Sequence, residues 1–409
     1  MQQTLCILGR QPALGIAELE SLYGGVVLRP IGLHAALLDI APATIDFSRL
    51  GGTVKFCKVL TVLDTIDWSA VQEFLVKAIP DHLGYLPEGK FKLGLSVYGL
   101  DVSVNRIGAT GLTLKKVIRA TGRSVRIVQG SEKALNSAQV LHNQLTSALG
   151  WELIFVRDGQ RTIVAQNIAE QDIEAYARRD QERPKRDSFV GMLPPKLAQI
   201  ITNLAAGQLP PPPENPDGTC GSLSSINFGK TVLDPFCGTG VLLQEALLMG
   251  YDAYGTDLEQ RMIDYSQENL DWLTKTFQPV GLSFRLEVGD ATETEWPRPV
   301  SFVAAETYLG RALSHQPDQA TLKQIVTDCS YIHKKFLQNL ARQTSPGFRA
   351  CIAVPAWRTG NSFVHMPVLD QLTDLGYTRV SFVHVSDSDL VYHREGQIVA
   401  RELVVITRK

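Results

Sequence analysis

The sequence predicts an α/β protein: a doubly wound, Rossmann-like parallel sheet in the C-terminal half, preceded by smaller α+β units. Three observations predict it. From residue 222 onward, apolar runs of strand length alternate with helical periodicity, as parallel strands joined by crossover helices require. The first run, residues 231–234, ends in Asp234-Pro235-Phe236-Cys237-Gly238-Thr239-Gly240 and passes straight into an apolar helix at Val241. A strand feeding a glycine turn and then a helix makes a nucleotide-shaped crevice. The next two runs end in Asp257 and Asp290, carboxylates at the strand ends where such a crevice opens.

The elements follow in order. Residues 1–60 read as a small α+β unit, with strands at 5–8, 26–28, 33–40 and 53–59. Its helix at 12–22 is opened by Pro12, tolerated in a first turn, and ended by Gly24-Gly25. Residues 61–166 form a second unit, with helices at 70–78, 112–121 and 137–148 and strands at 91–98, 124–128, 151–156 and 162–166. Residues 167–221 connect, with a helix at 172–179 broken by Pro184 and another at 196–204 opened by Pro194-Pro195. The proline-rich stretch 207–218 then reads as an exposed, semi-extended loop. Residues 222–409 carry the parallel sheet. Its fourth strand is 301–305, followed by a long helix at 318–340 and a fifth strand at 349–354. A helix at 366–375 ends at Gly376, and runs at 378–385 and 400–407 close the sheet as an antiparallel pair, making seven strands.

A chain of 409 residues exceeds one compact core and calls for two or three domains. No run of about 18 apolar residues marks a membrane span. The start, Met1 to Gly9, lacks the charged region and cleavage site of a signal peptide. The six cysteines are scattered without a Cys-x-x-Cys pair, which predicts a reducing cytoplasm and no structural metal.

A net charge of −2 excludes a globally basic nucleic-acid binder, so the distribution of charge decides. Lys115, Lys116, Arg119, Arg123 and Arg126 lie in a stretch with Glu132 as its one acid. Arg178, Arg179, Arg183, Lys185 and Arg186 form a second cluster, partly offset by Asp180, Glu182 and Asp187. Either cluster alone is equally a solvated helix face. Two of them upstream of a nucleotide crevice point to phosphate contacts.

Asp234 stands just before the glycine turn and would repel a pyrophosphate. It suits a cofactor with an ammonium and a sulfonium, S-adenosylmethionine. A dinucleotide site, the structural rival, wants a third glycine at position 243, where this chain has Leu243. The cofactor candidates are therefore Asp234, Pro235, Phe236, Gly238, Thr239 and Gly240 of the turn. Asp257 with Leu258 joins them at the ribose, and Asp290 with Ala291 at the adenine. Strand four ends in Glu306-Thr307-Tyr308, the acceptor position. Amino-directed methyltransferases carry Asp/Asn-Pro-Pro-Tyr/Phe there; an oxygen acceptor orients the amino group while an aromatic ring stacks on the base. Here Glu306 is the acceptor, one methylene longer, Thr307 replaces a stiffening proline, and Tyr308 is the stacking ring.

Several segments together resemble one family, the THUMP-containing tRNA guanine-N2 methyltransferases. They are the opening strand and helix (Leu5 to Gly9 and Ala17 to Leu22), the linker pieces Arg178-Arg179-Asp180-Gln181-Glu182-Arg183-Pro184 and Gly191-Met192-Leu193-Pro194-Pro195-Lys196, and the cofactor turn. The resemblance covers most of the chain. It implies a ferredoxin-like unit at 1–60, a THUMP-like tRNA-binding domain at 61–166, a linker at 167–221 and a methyltransferase domain at 222–409. It also implies transfer of a methyl to N2 of a guanosine near the D-arm of tRNA. The departure at Glu306-Thr307-Tyr308 keeps two alternatives open: a tRNA-binding protein without turnover and a DNA amino-methyltransferase. The target nucleotide, the number of methyl groups and the need for a small activating subunit are not written in these residues.

Overall fold

The computed structural model describes residues 2–409 except 188–191, 211–226, 228, 280, 297–298, 314 and 361. The chain divides into two compact units. The first comprises Met1–Pro12, Val26–Ser48 and Thr53–Ile173; the second comprises Ala13–Gly25, Arg49–Gly52 and Glu174–Lys409.

The first unit is built on one eight-stranded sheet. Its strands are β1 (Thr4–Leu8), β2 (Leu28–Ile31), β3 (Ala35–Leu38), β4 (Thr53–Leu63), β5 (Phe91–Tyr98), β6 (Val125–Val128), β7 (Gly150–Asp158) and β8 (Arg161–Glu170), in the order β2-β3-β1-β4-β8-β7-β5-β6. A division after residue 60 would cut β4 in two, so the expected first and second domains are one sheet. β4 is long enough to serve both halves, pairing with β1 along its first part and with β8 throughout. Helices α2 (Trp68–Leu83), α3 (Val104–Ala120) and α4 (Ser137–Asn143) complete the unit. α3 buries Ile107, Gly111, Leu114 and Ile118, the three-and-four spacing of one helix face. That face meets Phe91, Leu93 and Phe155 and leaves Lys116 and Arg119 exposed. α4 is shorter than expected because Gln144 turns left-handed, with φ of 54°, and stops it.

In the second unit α1 (Pro12–Tyr23), α5 (Ile173–Gln181) and α6 (Pro195–Ala206) precede the sheet, α1 belonging to it from Ala13 onward. The sheet is β9 (Thr231–Asp234), β10 (Asp252–Asp257), β11 (Phe284–Val288), β12 (Phe302–Glu306), β13 (Arg349–Thr359), β15 (Tyr377–Arg379) and β17 (Val399–Arg408) in the order β11-β10-β9-β12-β13-β17-β15. The short strands β14 (Ser362–Val364) and β16 (Val391–Tyr392) attach to β13 and β17. Neighbours from β11 to β13 are parallel, and β17 is antiparallel to both β13 and β15. Crossover helices are α7 (Val241–Leu248), α8 (Gln260–Phe277) and α9 (Gln319–Gln343). Where a further helix was expected at 366–375 the chain forms only a 3₁₀ turn, Pro367–Gln371.

Alternate residues of the central strands enter two cores. Phe302, Ala304, Cys351 and Leu403 face one with α6 and α7; Val303, Ala305, Ile352 and Val404 face the other with α9. A strand buried on both faces reads as an unbroken apolar run, which is why these strands are visible in the sequence.

α1 is nearly all buried, and Leu14 and Ala17 join the core of α6. Glu18 accepts hydrogen bonds from the backbone N–H of Gly51 (2.9 Å) and Gly52 (2.8 Å) and from Asn203 Nδ2 (2.7 Å). Burial pushes its carboxyl up to about 7 against those bonds. A Cβ on Gly51 would lie 2.1 Å from the Lys196 carbonyl oxygen, so only glycine fits that crossing.

Candidate active site

The chain winds from β9 to β11 on one side and returns through β12 on the other, so the sheet switches direction between β9 and β12. A crevice outside the carboxyl ends of the strands is expected at that point. A cleft of about 630 Å³ is found there. It is lined by Asp234, Pro235, Phe236, Gly238 and Thr239 after β9, by Asp257 and Leu258 after β10, by Asp290 and Ala291 after β11, and by Glu306, Thr307 and Tyr308 after β12. These twelve residues are the expected site brought together.

Gly240 is the exception. It caps α7 with φ of 79°, and a Cβ there would approach Ser266 Oγ to 2.9 Å. Its place is in the turn and against α8, not at the cleft wall.

The cofactor-side turn is held from behind by α8. Ser266 Oγ donates to the Gly238 carbonyl (2.7 Å) and Asn269 Nδ2 to the Thr239 carbonyl (2.8 Å). Asp257 accepts from Gly238 N–H at Oδ2 (2.9 Å) and from Glu259 N–H at Oδ1 (3.0 Å). Asp290 Oδ1 takes both the N–H and the hydroxyl of Thr292, each at 2.8 Å, and Oδ2 has no such partner among the described residues. Phe236 stands edge-on to Phe336, 5.1 Å between ring centres.

Asp234 is fully buried and accepts from Phe236 N–H (3.1 Å). Burial, reinforced by the negative charges of Asp257 and Glu306, pushes its carboxyl well above the usual carboxylate range. Asp257 is raised too, mainly by burial. A cleft that holds carboxylates this close favours a cationic occupant, because a nearby positive charge reverses the penalty.

The acceptor side is held by distant side chains. Arg401 on β17, set opposite Pro355 of β13, donates through Nε to Glu306 Oε1. Thr307 is anchored through its backbone and its hydroxyl, which also lies 3.0 Å from the Ala353 carbonyl. Its N–H donates to the Ala353 carbonyl (3.0 Å), and its hydroxyl meets His333 Nε2 at 2.7 Å. His333 Nδ1 lies 2.7 Å from the Cys329 carbonyl, which can only accept, so Nδ1 carries the proton and Nε2 receives the Thr307 hydroxyl. Burial lowers the His333 imidazole to about 4, which keeps it neutral for this role. Tyr308 is 42% exposed, with its ring at the cleft. Neither Arg401 nor His333 was marked by the sequence, since each lies far along the chain from the residue it holds.

The basic candidates divide. Lys116, Arg119, Arg126 and Arg186 are exposed and Lys115 is half-buried. Arg178 pairs with Glu182, and Lys185 sits 3.3 Å from Glu268 and over the Tyr265 ring. Three are corrected as phosphate contacts. Arg123 donates to the backbone carbonyls of Leu83 and Pro87. Arg179 is buried in an ion pair with Glu245, 2.6 Å. Arg183 is 2% exposed, and its burial lowers its pKa. In Arg123 and Arg179 the fold uses the charge that the sequence pattern assigns to phosphate; the Arg183 guanidinium is buried without a hydrogen-bond partner among the described residues.

A parallel sheet in this order, with a reversed strand inserted beside β13 and a carboxylate-lined cleft over the β9 turn, is the Rossmann-like fold that the sequence predicts. No protein-family model matches the chain. In sequence the chain is similar to the tRNA (guanine(10)-N2)-dimethyltransferase of Methanothermobacter thermautotrophicus, 27% identical over 179 residues, 43% of each chain. It is similar also to that of Methanocaldococcus jannaschii, 30% identical over 112 residues, 27% of this chain and 26% of the relative. The matched stretches span less than half the length of these curated relatives. Among solved structures, the crystal structure of TrmN from Thermus thermophilus superposes over the whole of both chains, with a TM-score of 0.53 and 17% identity, and so shares the fold.

Proposed function

We propose that the chain is an S-adenosylmethionine-dependent tRNA methyltransferase that methylates the exocyclic N2 of a guanosine. The observation that carries the reading is the cleft itself. Asp234 and Asp257, both pushed up, border an acceptor carboxylate and an aromatic ring, at the switch point of a methyltransferase sheet. The likeness to tRNA guanine-N2 dimethyltransferases supplies the substrate class.

The cofactor would supply an electrophilic methyl group on a sulfonium. Asp234 would face its ammonium, Asp257 its ribose hydroxyls and Asp290 its adenine amino group. Glu306 would accept a hydrogen bond from the guanine amino group and aim its lone pair, with Arg401 keeping the carboxylate in place. Thr307, fixed by His333, would hold the loop in the conformation that prolines enforce elsewhere. Tyr308 would stack on the flipped base. The nitrogen gains a carbon and gives up one proton as the sulfonium loses its methyl.

The first unit fits the THUMP-like, tRNA-gripping part, through exposed Lys116, Arg119 and Arg126. A cytoplasmic setting and a small activating subunit belong to the same reading.

The test is methyl transfer from labelled S-adenosylmethionine to unmodified tRNA transcripts, followed by nucleoside analysis. Label in N2-methylguanosine or N2,N2-dimethylguanosine is the expected result. Label in DNA instead would overturn the substrate. Intact cofactor binding without label in any RNA, with or without cell extract to supply a subunit, would leave a tRNA-binding protein without turnover.

A further inference from the structure

β13 does not stop where the active site needs it to. β12 ends at Glu306, in register with Ala353, yet β13 runs on to Thr359. One edge of β13 is taken by β17 from Arg349 to Trp357. The other edge is taken by β12 up to Ala353 and then by β14, which pairs Trp357 with Val364, Arg358 with Phe363 and Thr359 with Ser362. β14 therefore stands in line with β12, beyond Glu306. Trp357 lies four residue steps beyond Ala353, about 13 Å of strand. At the start of that interval the Thr307 N–H donates to the Ala353 carbonyl, and at its far side Gln316 donates to the Arg358 carbonyl.

The side chains on this extension suit nucleic acid. The Arg358 guanidinium lies over the Phe363 ring, 5.6 Å to its centre, and donates through Nη2 to His393 Nδ1 at 2.9 Å. The His393 ring is 5.4 Å from Phe363. Arg394 is exposed and donates to the Tyr392 hydroxyl at 3.1 Å. Arg311, also exposed, lies on the loop at the cleft wall. Against these three guanidinium groups stand Glu395, Glu402 and Asp387, and Glu402 and Asp387 are already paired with Arg379. Cationic groups interleaved with flat rings are what a strand of unpaired nucleotides requires: charge for phosphates and faces for bases.

We infer that the β13–β14 hairpin and the turn between β16 and β17 form a second RNA-contacting surface over the acceptor site, gripping the unpaired nucleotides that flank the methylated guanosine. The inference rests on the tRNA reading above and deepens it, since the contacts previously assigned to RNA all lie elsewhere in the chain. The hairpin stands in line with β12 beyond Glu306, the end at which a flipped guanosine would be held.

The test uses the full chain with unmodified tRNA, in wild type, R394A and R358A/R394A. Binding is measured over a series of salt concentrations, with S-adenosylmethionine affinity measured without RNA. R394A should lower the magnitude of the salt slope by about one contact and the double variant should weaken tRNA binding about tenfold or more, both with cofactor affinity unchanged. R394A removes an exposed charge and one exposed hydrogen bond to the Tyr392 hydroxyl, so it keeps the test sound if the double variant folds poorly. Wild-type slope and affinity in R394A and in a folded double variant would overturn the inference while leaving the proposed function in place. A wild-type protein that binds no tRNA would overturn both.

Discussion

The two halves of the cleft are held in different ways. On the cofactor side the hydrogen bonds to Asp234, Asp257 and Asp290 that come from residues two positions along, Phe236, Glu259 and Thr292, are made by the chain that carries them. On the acceptor side Glu306 depends on Arg401, and Thr307 on His333, each brought in from another element. A carboxylate satisfied by its own turn needs only the right local sequence. A carboxylate satisfied across the sheet needs the fold first. Apart from Ser266 and Asn269 of α8, which hold the carbonyls of the glycine turn, the carboxylates of the cofactor half should tolerate distant substitutions, and the acceptor half should fail through residues that never touch a substrate.

The largest effect should come from E306Q, which removes the acceptor charge. Methyl transfer should fall about 100-fold with cofactor affinity kept, the scale associated with misplaced reacting groups; equal activity in a kinetic assay would show that the acceptor half is not catalytic. Next is R401M, which leaves Glu306 partly buried and unpaired. Breaking such a pair costs about 3 kcal/mol, read as a lower unfolding midpoint in urea. Pairing the two changes, E306Q/R401M, should restore much of the stability and none of the activity. D257A should weaken cofactor binding tenfold or more, as loss of a charged hydrogen-bond acceptor does, and equilibrium dialysis checks it.

His333 gives a pH signature. Its folded pKa, about 4, lies below the ordinary imidazole value of 6.5. The unfolded chain then binds more protons between those values, so the contribution of His333 is full above about pH 6.5 and is lost as pH falls towards 4. Up to about 3 kcal/mol is involved. H333Q keeps a donor and an acceptor but cannot titrate. The stability difference between wild type and H333Q should shift in favour of the variant on acidification from pH 7 to 4; a constant difference would remove the neutral-imidazole assignment. The smallest effect belongs to K116A, which should leave activity at saturating tRNA unchanged and lower the salt slope by less than one unit.

What was legible follows the same division. The strands of the second sheet and the twelve cleft residues were readable because buried parallel strands are continuous apolar runs and the turn residues sit at fixed offsets from them. Arg401, His333 and the β14 extension were not, because nothing local ties Arg401 to Glu306 across an interval of 95 residues. The same blindness misassigned Arg179, whose partner Glu245 lies 66 residues away. It also set a domain boundary inside β4, because an α+β segment reads alike whether it forms one sheet or two.

α1 carries one more consequence. Its Ser21 meets the carbonyl of Asn203 across 182 residues, and Glu20 receives the backbone N–H of His384. On a ribosome adding roughly 5–20 residues per second, the apolar first helix emerges roughly 10–40 s before the α6 strip it packs on exists. The earliest helix to be made is thus among the last to be buried, and a fragment starting at Glu174 would expose the surface it leaves behind. Chaperone demand during synthesis, rather than stability of the finished protein, is where this threading should be felt.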